Sequence, residues 1–208
     1  MAIDSYMAFI PYTMPPGSGK GPGLTSESQV DMAQNNEPLA TDTSGGNPAL
    51  PSLASNHQIF EIEDYSFDIE QTLNIGSQSV GAGAGKVTFN PFSITRKIDR
   101  ASPVFYQMAC AGTAFKWVTL ALRKSTGGPT SGQVFLRFDF KLVAVKTISW
   151  AHDDESPKET VTFEYGGLLV RYSMQNPDGS LATAVPGGWN RVNNKSDQTM
   201  MPIMPLST

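Results

Sequence analysis

Among the 208 residues there is one cysteine, Cys110, and there are two histidines, His57 and His152. A single thiol excludes an internal disulfide framework, and so few soft ligands exclude a Cys/His-built zinc site or an iron–sulfur cluster. Charge is sparse as well: 16% of residues are charged, 15 basic against 19 acidic, for a net -4 at pH 7. No block of one sign occurs, so neither a nucleic-acid-binding stripe nor a polybasic membrane patch is encoded. No apolar run approaches the roughly 18 residues that mark a spanning helix. The opening MAIDSYMAFI carries no basic residue ahead of an apolar core, so no secretory signal is read there. The expectation is a protein made and folded in the cytoplasm, with no cofactor, no nucleic-acid partner and no membrane insertion.

Glycine (19) and proline (15) are what the chain has in quantity, and they are unevenly spread. Residues 2–10 read as a short strand that Pro11 ends. From 11 to 58, 27 of 48 residues are Gly, Pro, Ser, Thr or Asn, and apolar residues keep no period. Such a stretch buries too little surface to offset its ordering entropy, so it is read as a long inserted loop. The expected organisation is one domain over 1–190 carrying that loop, followed by an irregular tail over 191–208.

Strand signals begin at Ile59. Phe60 and Ile62 alternate, then the phase shifts to Tyr65, Phe67 and Ile69, which implies a bulge or bend near Asp64. A Gly-rich, flexible connection is read over 74–86. Val87 and Phe89 then alternate, Asn90-Pro91 breaks the ladder, and Phe92 and Ile94 resume it. One helix is expected, with Ser102 as N-cap, Pro103 in the first turn and Gly112 as the stop. Val104, Phe105, Met108 and Ala109 form its apolar face.

Val118, Leu120 and Leu122 face one way on the next strand, with Trp117, Thr119 and Arg123 opposite. After a turn-rich loop, Val134, Leu136, Phe138, Phe140 and Leu142 alternate with Arg137, Asp139 and Lys141. Beyond Leu142 both faces turn apolar, which a free sheet seldom tolerates without a second layer or another subunit. Val161, Phe163 and Tyr165 alternate in the last long strand, where Gly166-Gly167 permits a bulge. The fold class is therefore mainly β: an antiparallel barrel or two-sheet sandwich with one short helix packed on it.

No catalytic set assembles from these residues. MPPGSGKG (14–21) and VGAGAGKV (80–87) mimic a phosphate loop but lack its first glycine and its hydroxyl, and neither joins a buried parallel strand to a helix. Cys110 lies near a helix C-terminus, where the dipole disfavours a thiolate, so it reads as a packing residue. Asp153, Asp154 and Glu155 lack EF-hand spacing and read as a solvated hairpin tip. Trp117 and Trp189 suit a sugar platform less well than a core or interface role.

GKVTFNPFSITRKIDRASPVFYQMACAGTAFKWVTLALRK (85–124) resembles the haemolysin-coregulated protein (Hcp) family of bacterial type VI secretion. The matching positions are Phe92, Ile98, Asp99, Ala101, Ser102, Pro103, Gly112, Thr119, Leu120, Leu122, Arg123 and Lys124. PKETVTFEYGGLLVRY (157–172) is similar to the family's closing strand, and AIDSYMAFI to its first. The resemblance implies a non-enzymatic barrel protein whose hexameric rings stack into a hollow tube. Its implied partners are further copies of itself, a contractile sheath, spike or baseplate components, and effector cargo in the lumen; export would occur after assembly in the cytoplasm. Trp117, Val143, Val145, Gly81, Gly83 and Trp189 are the candidates for ring and tube assembly. The insertion at 11–58 and Trp117 depart from the family pattern. Rival readings are a tail-tube protein of a phage-like particle, a toxin-bearing variant and a glycan-binding β-sandwich.

Overall fold

The structure is a computed structural model that describes residues 3–11, 59–74, 83–124, 133–152, 156–178 and 180–198. Its elements run β1 (Ile3–Pro11), β2 (Ile59–Ile62), β3 (Asp64–Ser66), β4 (Ile69–Asn74), β5 (Gly83–Phe89), β6 (Phe92–Lys97), α1 (Ser102–Ala111), β7 (Ala114–Lys124), β8 (Gln133–His152), β9 (Pro157–Tyr172), β10 (Val185–Asn190) and β11 (Lys195–Ser196). The readings placed on 12–58, on Gly81 and on Asp153, Asp154 and Glu155 lie outside the described residues.

All pairings are antiparallel, and they close on themselves. β1 pairs β7, β7 pairs β8, β8 pairs β9 and β9 pairs β6. The segment from Ile59 to Ser66 completes the circuit by changing partners: β2 pairs β1, and after the bend at Glu63, β3 pairs β6. The phase shift read near Asp64 is this switch. It abolishes a sheet edge, which would otherwise invite unwanted pairing. β9 is long enough to serve two neighbours on one side, β6 along its first half and β10 along its second. β4 and β5 leave the barrel as a separate two-stranded ribbon. Strand pairing in this ribbon reaches back to Gly83, further into the glycine-rich run than its composition implied.

The barrel interior is aromatic. The Phe92 ring stacks between Phe140 at 4.1 Å and Phe163 at 4.8 Å. Phe105 of α1 meets Phe9 at 5.0 Å, so the helix packs its apolar face onto this aromatic core. Cys110, read as a packing residue, is instead exposed.

Side-chain alternation changes phase at one level across three strands. Phe115 and Val118 on β7, Val143 and Phe140 on β8, and Tyr165 and Leu168 on β9 all face the core. On each strand the step is three residues, not two. Leu142 sits at this level with φ 52° and is 43% exposed, which removes it from the inward set the sequence predicted. Because the three strands shift together, β9 runs through Gly166-Gly167 without a change of register. The register shifts lie elsewhere, beside Phe135 and Lys146 on β8.

At the helix start, Ser102 is the first helical residue, not the cap. Ala101 holds the cap position without a side-chain bond, and the Asp99 carboxylate accepts from the Ala101 N–H at 2.8 Å. The far end matches the reading: Gly112 adopts φ 63°, and its N–H bonds the Ala109 carbonyl. Gly112→Ala should therefore lower stability by about 1 kcal/mol, since an alanine strains the left-handed cap. Urea denaturation with an unchanged m-value would measure it.

Candidate assembly surface

Two buried ionic groups fix the barrel wall. Arg96 of β6 donates from Nε to Glu159 Oε1 at 2.7 Å and from Nη2 to Asp99 Oδ1 at 2.8 Å and Ser102 Oγ at 3.2 Å. Its guanidinium also lies 5.0 Å and 5.1 Å from the Phe60 and Phe105 ring centres. Glu159 uses its second oxygen to accept from Trp150 Nε1 at 3.0 Å. One arginine thus ties β6, β9 and the first turn of α1 together. On the outer face, Asp139 of β8 accepts from Thr119 Oγ1 at 2.6 Å and from Arg137 Nε at 2.9 Å, with Arg171 Nη2 at 4.0 Å from its other oxygen. A buried carboxylate is tolerated only with such partners. These charges hold strands in register; they form no nucleophile–base pair.

A third group sits beside Tyr165. The Arg191 guanidinium stacks 5.1 Å from the Tyr165 ring and 5.4 Å from Phe89, and its Nη1 donates to the Tyr165 carbonyl at 2.6 Å. Burial is the largest influence on the Tyr165 phenol and pushes its pKa up to about 12, against the opposing pull of Arg191. For Glu164, burial raises the pKa, but Lys146 and Arg191 together outweigh it and hold the carboxyl below its ordinary value. The Tyr165 shift has a defined sign. The folded state holds the phenol proton more tightly than the unfolded chain, so stability is intact below the ordinary tyrosine value of 10.0 and is lost as pH rises towards 12. The slope is at most about 1.4 kcal/mol per pH unit. Tyr165→Phe should flatten this alkaline loss in thermal melts taken at pH 9 to 11.5; an unchanged profile would exclude Tyr165 as its source.

The assembly candidates fall in different settings. Trp117 is buried against Leu169, and Val143 is wholly buried in the main core. Val145 and Trp189 are half-buried and pack on that core. Gly83 opens β5 opposite Asn74. The structure does not gather these residues into one patch. Exposed apolar side chains cluster instead around the helix and the β8–β9 tip, where the Tyr106 and Trp150 rings lie 5.9 Å apart. A second cluster lies at the opposite end of β9, at Tyr172, Met174 and Val185. Sequence reasoning missed Tyr106 and Trp150, although Tyr106 falls off the helix's apolar stripe, which was a usable signal. The β4–β5 ribbon packs Phe89 and Val87 on the core, but its edges pair with no other strand among the described residues.

The described residues form a closed antiparallel barrel with one helix and a two-stranded ribbon, which defines a β-barrel class of protein. The sequence profile of the family described as "Type VI secretion system effector, Hcp" matches residues 53–172, more than half of the chain. The chain belongs to the Hcp family, and is thereby a secreted tube or effector protein of type VI secretion. Among solved structures, a type six secretion system protein superposes with TM-score 0.69 at 19% identity, covering 94% of this chain and all of that one. Hcp1 from Salmonella typhimurium gives 0.58 at 18%, covering 95% and 100%, and a type VI effector from Yersinia pestis gives 0.57 at 16%, covering 90% and 99%. At these identities the likeness concerns the fold. Among curated proteins, none matches the chain. No helix among the described residues is long and apolar enough to cross a membrane.

Proposed function

We propose that this chain is a non-enzymatic tube subunit: copies close into hexameric rings, and rings stack into a hollow conduit. A contractile sheath would surround that tube, a spike would cap it, and effectors would travel in its lumen after assembly in the cytoplasm. The observation that carries the reading is the closed barrel of the Hcp family with a β4–β5 ribbon whose outer strand edges pair with no other described strand, since open edges of this kind are where a neighbouring copy can pair. The buried charges are compatible with it. Arg96, Glu159 and Asp139 find ion-pair partners within the subunit's own wall, so they place no demand on a neighbouring copy.

The test is the solution mass of purified protein by light scattering, with negative-stain images of the same sample. Six copies of 22.4 kDa should give about 134 kDa, with annuli around a stained hole. A 22 kDa species at high concentration, unchanged when sheath and spike components are added, would overturn the tube reading.

A further inference from the structure

Two features meet near the end of β9. The first is the apolar patch of Tyr172, Met174 and Val185, which are 46%, 59% and 71% exposed. Tyr172 and Val185 are directly opposed across β9 and β10, and Tyr172 rests edge-on against Phe135 at 6.4 Å. Contiguous apolar surface of this kind, left open, marks a docking site.

The second is the route by which the chain departs. After β11 the Asp197 N–H donates to the Gly188 carbonyl at 3.1 Å. The Asp197 carbonyl lies against Gly188 where a Cβ would collide with it. Gly188 is opposed to Leu169, which packs with Trp117 on the outer face. Alternation puts Tyr172 and Val185 on the other face, with Leu168 and Val170. The chain therefore leaves across the face opposite its own patch, three residues along β10 from Val185. It continues as residues 199–208, TMMPIMPLST, with three methionines, an isoleucine, a leucine, two prolines and no charge.

We propose that residues 199–208 of one copy dock on the Tyr172–Met174–Val185 patch of a neighbouring copy. This rests on the self-assembly reading above and names a surface for it. Ten extended residues reach about 33 to 36 Å, enough to cross to an adjoining protomer. Methionine adapts to an irregular apolar surface, and prolines favour an extended strap over a helix. Strap and patch are different surfaces, so the contact is heterologous, which is the kind that closes into rings.

Two variants test it: a chain ending at Gln198, and the double substitution Met174→Asp with Val185→Asp at exposed positions. Both should retain the wild-type circular dichroism spectrum. Each alone should need at least tenfold higher concentration than wild type to associate. Mixed, they should form a one-to-one complex, because one partner supplies the strap and the other the patch. A fluorescent peptide of residues 199–208 should bind the shortened chain saturably and the double variant at least tenfold more weakly. Rings formed by the shortened chain at wild-type concentration would overturn the proposal and leave the tube reading standing. A mixture that stays at monomer mass would overturn the exchange between copies, and absence of peptide binding would overturn the patch itself. A wild-type chain that is monomeric in the light-scattering experiment would instead sink the tube reading.

Discussion

Arg96→Met is expected to destabilise the protein by about 3 to 5 kcal/mol, the range measured when one member of a buried pair is removed. Arg96 has almost no exposed surface, and neither does Glu159. Methionine fills much of the space and keeps contact with Phe60 and Phe105, so little of the effect is cavity. The loss arises because Glu159 stays buried with only the Trp150 N–H for company. Removing both charges separates the two contributions: Arg96→Met with Glu159→Leu should regain much of the loss, because a well-packed apolar pair can replace a buried ion pair. Urea denaturation at pH 7 gives both numbers. A single variant within 1 kcal/mol of wild type would show that the pair contributes little. The same experiment reports on α1, since Arg96 holds Asp99 and Ser102 in the first turn.

Phe92→Ala should cost about 3 to 5 kcal/mol, the usual range for emptying an aromatic position in a core. Phe92 lies between two stacked rings on separate strands, Phe140 and Phe163, and near the Tyr165 ring at 5.9 Å. Truncation leaves a hole bordered by β8 and β9, whose long ladder resists collapse. Phe67→Ala provides the control. Phe67 touches Phe138 at 5.2 Å but is only half-buried, so its loss should cost distinctly less. Equal costs at the two positions would mean that stacking inside the barrel contributes no more than contact at its rim.

Much of the fold was legible because the relevant signals are local. Pro11, the Asn90-Pro91 step and Gly112 end elements through their own backbone chemistry, and the structure ends β1, β5 and α1 at or beside them. The alternation of Val161, Phe163 and Tyr165 names the buried face of β9 directly. Non-local features were harder. The common phase step at Phe115, Leu142 and Gly166 needs three strands in register before it becomes visible. Ser102 has the right chemistry for a cap, yet Arg96, six residues away, draws its hydroxyl into the ionic group. The assembly candidates illustrate the same limit. Val143 lies in a doubly apolar stretch that suggested an interface, but the phase step turns it into the core.

The partner switch between β2 and β3 carries a consequence for the order in which the chain folds. β8 and β9 are joined through the close pair His152↔Pro157, so their ladder forms from sequence neighbours and needs little loop closure. β1 has no such neighbour, because its partners β2 and β7 begin at Ile59 and Ala114. Closing the 47-residue connection between Pro11 and Ile59 costs about 2 kcal/mol more than closing a five-residue turn. The β8–β9 hairpin should therefore be the early, fast-forming unit, with β1 the last stave to enter. Pulse-labelled hydrogen exchange would read this as amide protection in Val161–Tyr165 ahead of protection in Tyr6–Phe9. Until that stave brings in Phe9, the Phe105 and Phe115 rings it packs against lie open to water, and this opening defines the interval in which a nascent subunit is exposed to misassembly.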